Sequence, residues 1–206
     1  ITISETSKKD ICRFLGVDPK IVHVLYLAPR PVFKPITVHR SLFTVQRQYS
    51  LPDRFALYVG DVNYNKNISV LVKACEIAKT PLVIVGKQAK EIVNLNLNHP
   101  ELKHLNNINW TKIIRLGFVP DNDLAAIYNL ATVYVQPSLY EGFGLPALEA
   151  VTCGTPIVIA KSQCMVEILG DDFSYSDPND AKSMAKAILN PNQNKKLPRD
   201  YSWEKT

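Results

Sequence analysis

Three features of this 206-residue sequence predict an α/β domain built as a doubly wound parallel sheet with helices on both faces. From residue 55 onward, short β-branched runs alternate with amphipathic stretches of helical period. The runs are continuously apolar, as in strands covered on both faces. Their order is strand, helix, strand, helix, and a ligand of such a fold sits beyond the carboxyl ends of the strands.

The opening residues predict a short helix over 6–15 and a strand over 21–25. Pro29, Pro31, Pro35 and Pro52 then punctuate a stretch without periodicity, which reads as a linker. The expected division is therefore 1–29 as the remnant of a preceding α/β domain, 30–54 as linker, and 55–206 as the ligand-binding domain. Strands are expected over 55–59, 81–85, 113–116, 132–135 and 156–159. Helices are expected over 67–79, where Ile68, Leu71, Val72, Cys75 and Ala78 share one face, over 121–130, and over 180–189, stopped by Pro191.

Composition narrows the function classes. Hydrophobic residues make up 46% and charged residues 21%, enough for a real core and too balanced for disorder. No apolar run approaches the roughly 20 residues that span a bilayer. The first residues lack the charged start and apolar core of a signal peptide, and they lack an initiator Met, so the expectation is a chain that begins inside a longer protein. Cys12, Cys75, Cys153 and Cys164 form no C-x-x-C pair, which fits a reducing cytoplasm. His23, His39, His99 and His104 are scattered, the 99/104 pair reads as a solvated loop, and no metal site is expected. The net charge of +5 is spread along the chain apart from Lys8-Lys9 and Lys195-Lys196. No basic stretch interleaves with aromatics, so nucleic acid is not the expected partner.

The chemistry concentrates in Pro137-Ser138-Leu139-Tyr140-Glu141-Gly142-Phe143-Gly144-Leu145-Pro146-Ala147-Leu148-Glu149-Ala150. It follows a strand and enters a helix whose first turn tolerates Pro146. A glycine turn before a helix offers unpaired N–H groups and the positive dipole end to an anion, most often phosphate. Glu149 falls near the end of the first turn, where the dipole favours its ionised form, and its two oxygens suit the hydroxyl pair of a ribose. Glu141 precedes the turn, on the side where a donor sugar would lie.

With Tyr58-Val59-Gly60, Lys66-Asn67, Val83-Ile84-Val85-Gly86, Leu116-Gly117-Phe118-Val119-Pro120 and Cys153-Gly154-Thr155-Pro156, the segment E-G-F-G-L-P-A-L-E resembles the E-x7-E signature of the retaining glycosyltransferases called group 1, or family 4. The resemblance covers most of the chain. It implies the Rossmann-like, C-terminal half of a two-domain GT-B enzyme of hexosyltransferase type, without cofactor or metal, using a GDP- or UDP-linked sugar. It implies that Glu141 contacts the sugar, that Glu149 holds the ribose, and that backbone groups of Gly142, Phe143, Gly144 and Leu145 surround sugar and diphosphate. Lys66 would neutralise the leaving diphosphate, its disfavoured place at a helix start arguing for function. Gly86, Phe118 and Val119 would line the base, Phe118 reading equally as core. Trp203 would be a packing anchor.

Asp61 departs from the pattern, standing where many members carry a second cation. The acceptor (a sugar, a lipid-linked sugar or another molecule) is open, as is peripheral membrane association of the full protein. Two rival readings are a noncatalytic nucleotide-sugar-binding domain and a dinucleotide-dependent oxidoreductase. The latter would use Gly142-Phe143-Gly144-Leu145-Pro146-Ala147 as a loose G-x-G-x-x-A, but Ala160-Lys161-Ser162-Gln163 offers no acidic partner. The isolated chain is expected to bind donor without transferring sugar.

Overall fold

A computed structural model describes residues 1–192 and 196–204; Lys195 of the paired lysines lies outside them. Six strands form one parallel sheet in the order β3-β2-β1-β4-β5-β6. They are β1 (Ala56–Val59), β2 (Leu82–Val85), β3 (Ile114–Leu116), β4 (Val133–Gln136), β5 (Ile157–Ala160) and β6 (Ser174–Ser176). The five expected strands are all present, and β1 and β2 are parallel neighbours in the register Ala56↔Leu82. The sixth, Ser174-Tyr175-Ser176, is a short polar edge strand held by its pairing with β5, and it carries no apolar run to announce it.

Alternate residues of each strand enter opposite layers. Leu57, Val83, Tyr134 and Ile157 face one core, with Ile127 of α5 (Asp121–Leu130), Leu148 of α6 (Leu145–Thr152) and Ile168 of α7 (Gln163–Leu169). Ala56, Tyr58, Ile84 and Val133 face the other, with Leu71 of α3 (Ile68–Ala78) and Met184 of α8 (Ala181–Leu189). Each fully buried Leu or Ile contributes about 1.5–3 kcal/mol, so both layers are needed to hold the strands between them. A single-turn helix, α4 (Lys87–Lys90), follows β2.

The first 54 residues are more ordered than their sequence suggests. α1 (Glu5–Leu15) is capped by Ser4 and closed by Gly16 at φ 64°. The expected strand over 21–25 is reduced to a single parallel bridge, Thr2↔Val24. The stretch 30–54 contains α2 (His39–Gln48). Val45 is buried, and Leu42 and Tyr49 pack half-buried beside it on the layer that holds α5, an apolar stripe of only three residues. Polar bonds to α5 add to this packing: the Tyr49 hydroxyl donates to Asp123 at 2.7 Å and the Gln48 amide at 3.3 Å. Upstream, Ile36 N–H donates to Asn129 Oδ1 at 2.8 Å, Asn129 Nδ2 donates to the Lys34 carbonyl at 3.1 Å, and Arg30 pairs with Asp121.

Two side chains differ from expectation. Trp203 is 51% exposed, and Tyr201 provides the packing instead, edge-on to Tyr26 and Phe143. His104 is not a solvated loop residue: it is half-buried, meets the Tyr64 ring edge-on at 5.6 Å, and burial lowers its pKa. Among the described residues no helix is long and apolar enough to cross a membrane.

Because the Tyr49 hydroxyl ties the end of α2 to Asp123, Tyr49→Phe is expected to destabilise the chain by about 1–2 kcal/mol, the net worth of a hydrogen bond to a partly exposed carboxylate. A urea midpoint identical to that of the unsubstituted chain would show that α2 is undocked in solution.

Candidate functional site

β1 and β4 are neighbours in the sheet although β2 and β3 intervene in sequence. Their outgoing connections therefore part in opposite directions, leaving a crevice at the carboxyl ends of the strands. One wall is the chain after β1, including a 3-10 turn over Tyr64–Lys66. Asn67, at φ 55°, then starts α3, so Lys66 stands outside that helix rather than in its first turn. The dipole penalty that argued for its function is thereby reduced. The other wall is the chain after β4, and the two are stitched together. Leu139 N–H donates to the Asn65 carbonyl at 2.8 Å, and Asn67 Nδ2 donates to the Pro137 and Pro178 carbonyls at 3.1 and 2.7 Å.

This stitching brings Lys66 Nζ to 2.8 and 3.1 Å from the two oxygens of Glu141. Glu141 is only 9% exposed, and removing one partner of such a pair costs about 3–5 kcal/mol by stranding the other charge. Behind it lies a group that sequence reading missed. Gln136 is the last residue of β4, buried, and its Nε2 donates to Glu141 Oε1 at 2.5 Å and to Ser138 Oγ at 3.1 Å. The Tyr134 hydroxyl donates to Gln136 Oε1, which fixes the amide so that its N–H groups face Glu141. The signal was an amide closing an otherwise apolar strand, just before Pro137.

The glycine turn has the expected form. Gly144 sits at φ 88° as the N-cap of α6, and a Cβ there would lie 2.6 Å from the Met165 sulfur. The N–H groups of Gly142, Phe143 and Gly144 donate to nothing among the described residues, so they remain available to an anion at a helix start. The Phe143 side chain is buried against Tyr26 and Tyr201, leaving its backbone to the site. Leu145 opens the helix, half-buried.

Glu149 departs from expectation. It is 6% exposed and accepts from the buried Tyr128 hydroxyl at 3.0 Å. Burial raises its pKa to about 7, against the smaller lowering effects of the Tyr128 bond and the more distant Arg30 charge. Desolvation outweighs the helix dipole that was expected to keep it ionised.

Toward the base side, Gly86 ends β2 where a Cβ would overlap the Gly60 carbonyl, so the two strand ends touch backbone to backbone. Phe118 is 74% exposed, which removes the core reading, while Val119 beside it is buried. Among the described residues the Asp61 side chain makes no ion pair; its carbonyl accepts from the Tyr58 hydroxyl at 2.7 Å. The glycine turn follows β4 and not the first strand, unlike the dinucleotide fingerprint, which lies in the first strand-to-helix turn.

Sheet order and crevice place the protein among Rossmann-like α/β proteins, here the form found in one half of GT-B glycosyltransferases. Residues 44–204 match the glycosyl transferases group 1 family, and the chain belongs to it. It is 29% identical over 218 residues to O-antigen chain mannosyltransferase B of Escherichia coli, covering 98% of this chain and 52% of that protein. It is 28% identical over 195 residues to O-antigen chain mannosyltransferase RfbU of Salmonella typhimurium, covering 94% of this chain and 50% of that one. The Anabaena protein Alr3699/HepE, solved with UDP and glucose, superposes with a TM-score of 0.71 at 20% identity over 91% of this chain and 52% of its own. The chain thus spans about half the length of these relatives.

The raised pKa of Glu149 means that this residue's contribution to stability falls with rising pH. Below about 4.5 the carboxyl is neutral folded and unfolded; between 4.5 and about 7 the unfolded chain ionises first and is favoured. Glu149→Gln, which keeps an acceptor for Tyr128, is expected to match the wild type at pH 4 and exceed it by on the order of 2–3 kcal/mol at pH 8. Parallel denaturation midpoints across that range would refute the assignment.

Proposed function

We propose that this chain is the donor-binding half of a retaining, metal-independent glycosyltransferase, and that its donor is a nucleoside diphosphate sugar. The observation that carries the reading is the Lys66–Glu141 pair beside the unpaired N–H groups of Gly142, Phe143 and Gly144. A diphosphate at those amides would draw on the α6 dipole and on the Lys66 ammonium, whose charge offsets the negative charge growing on the leaving group. Glu141 would meet the sugar, and a cavity of about 220 Å³ lined by Asp10, Tyr140, Lys161 and Gln163 opens beside it. Glu149 would take the ribose hydroxyls, and Gly86, Phe118 and Val119 would surround the base.

The mannosyltransferase relatives support mannose as the transferred sugar. The UDP in the Anabaena protein supports a nucleoside diphosphate site without fixing this chain's base. Transfer also needs an acceptor held in reacting geometry, an effect that supplies about 7–11 kcal/mol of a barrier. The acceptor-holding surface is assigned to the part of the enzyme beyond this chain. The 206-residue chain is accordingly expected to bind donor, to hydrolyse it slowly at most, and to form no glycosylated product. Mass spectrometry of the chain incubated with GDP-mannose, UDP-glucose and cell-derived acceptors checks this, and robust turnover would overturn it.

The two glutamates are expected to separate by role. At pH 8, above the raised pKa of Glu149, Glu149→Ala is expected to weaken binding of the free nucleoside diphosphate by about 1.5–3 kcal/mol, the value of a hydrogen bond to a charged group. Glu141→Ala acts mainly on the sugar portion and weakens discrimination between the diphosphate and the sugar-linked donor. Equal calorimetric affinity of the wild type and Glu149→Ala for GDP and for UDP would sink the ribose assignment.

A further inference from the structure

Glu167 of α7 has no role in the reading above, yet it gathers four donors from the opening segment. Its Oε1 accepts from the Glu5 N–H at 2.7 Å and the Tyr26 hydroxyl at 3.0 Å. Its Oε2 accepts from the Thr6 N–H at 2.9 Å and the Thr6 hydroxyl at 2.7 Å. A helix leaves its first N–H groups unpaired, and this carboxylate satisfies two of them from another element while placing negative charge at the positive end of α1. Burial pushes the Glu167 pKa up, but the bonds from Thr6, Glu5 and Tyr26 outweigh it and leave the carboxyl below its ordinary value.

Docked in this way, α1 delivers its N-cap to the donor loop. Ser4 is 0% exposed; its Oγ accepts from the Ser7 N–H at 3.0 Å and donates to the Gly142 carbonyl at 2.7 Å. The Ser7 hydroxyl lies 3.3 Å from the same carbonyl. The Tyr140 hydroxyl adds a tether to Asp10 of α1 at 2.8 Å. In a trans peptide the C=O and the following N–H point in opposite directions. Holding the Gly142 carbonyl toward α1 therefore turns the Phe143 N–H away from α1, and that N–H is one of those left unpaired.

We propose that Glu167 and Ser4 are positioning residues that lock the Gly142–Phe143 peptide in its anion-binding orientation, making the opening segment a working part of the nucleoside diphosphate site. Glu167 holds α1, α1 holds Ser4, and Ser4 holds the loop. The inference rests on the donor reading above.

The test is calorimetric titration of the full chain and of Glu167→Gln, Ser4→Ala and the double variant with UDP and with GDP, well below each melting temperature. Glu167→Gln turns N–H donors toward the α1 amides. Each single substitution is expected to weaken nucleotide binding by about tenfold or more. The double variant should be no weaker than the weaker single, because both act through one contact chain. A purely structural loss would lower the melting temperature and leave the affinity of the folded protein intact.

Wild-type binding with unchanged affinity in folded variants would overturn this proposal alone, and so would multiplied losses in the double variant. Failure of the wild type to bind either nucleotide would overturn the donor reading and this proposal with it. Should a variant not fold, hydrogen exchange on the wild type decides: added nucleotide is expected to slow exchange over 142–145 and over 4–7 together. Slowing at 142–145 alone would refute the coupling.

Discussion

A carboxylate as buried as Glu141 has to be neutralised where it stands, since an unpaired charge in that position costs several kcal/mol. The ammonium that does so comes from the far side of the sheet's switch point. Lys66 reaches it because β1 and β4 are adjacent, because Asn67 takes a left-handed conformation that ends the 3-10 turn, and because Asn65 and Asn67 bind the strand-β4 side of the crevice. Gln136, fixed by Tyr134, takes up further acceptor capacity. Sheet order, turn geometry and two buried polar side chains thus all serve one ion pair.

The signature's two glutamates are treated in opposite ways. Glu141 is given a cation at hydrogen-bond distance, whereas Glu149 is given a neutral tyrosine, and Arg30, whose charge acts on it, is itself paired with Asp121. Burial dominates in the second case because a single phenolic hydrogen bond returns less than full hydration removes. Spacing in sequence showed that the two residues flank a phosphate-ready turn. It was silent on this electrostatic contrast, which depends on what lies behind each side chain.

Much of the sheet was legible because its strands are short continuous apolar runs, and α5 and α8 because their apolar residues recur at helical spacing. β6 was not, being Ser-Tyr-Ser at an edge where pairing substitutes for hydrophobicity. Nor was α2, whose short apolar stripe of Leu42, Val45 and Tyr49 is interrupted by polar residues and supplemented by the bond to Asp123. In the site, Lys66 and Glu141 were readable singly and the structure brings them together. Gln136 and Glu167 were not, because each acts on groups distant in sequence or on one atom of a neighbour, and neither leaves a periodic trace.

The strap from Arg30 to Tyr49 changes how the chain is able to move. Bound to α5 at Asp121, Asp123 and Asn129, it travels with the sheet instead of swinging as a tether. The residues just ahead of Arg30 are held as well, where the Tyr26 hydroxyl donates to Glu167. Glu167 is thus anchored from both ends of the opening segment, at Glu5 and Thr6 on one side and Tyr26 on the other, and a single carboxylate closes that segment into a loop.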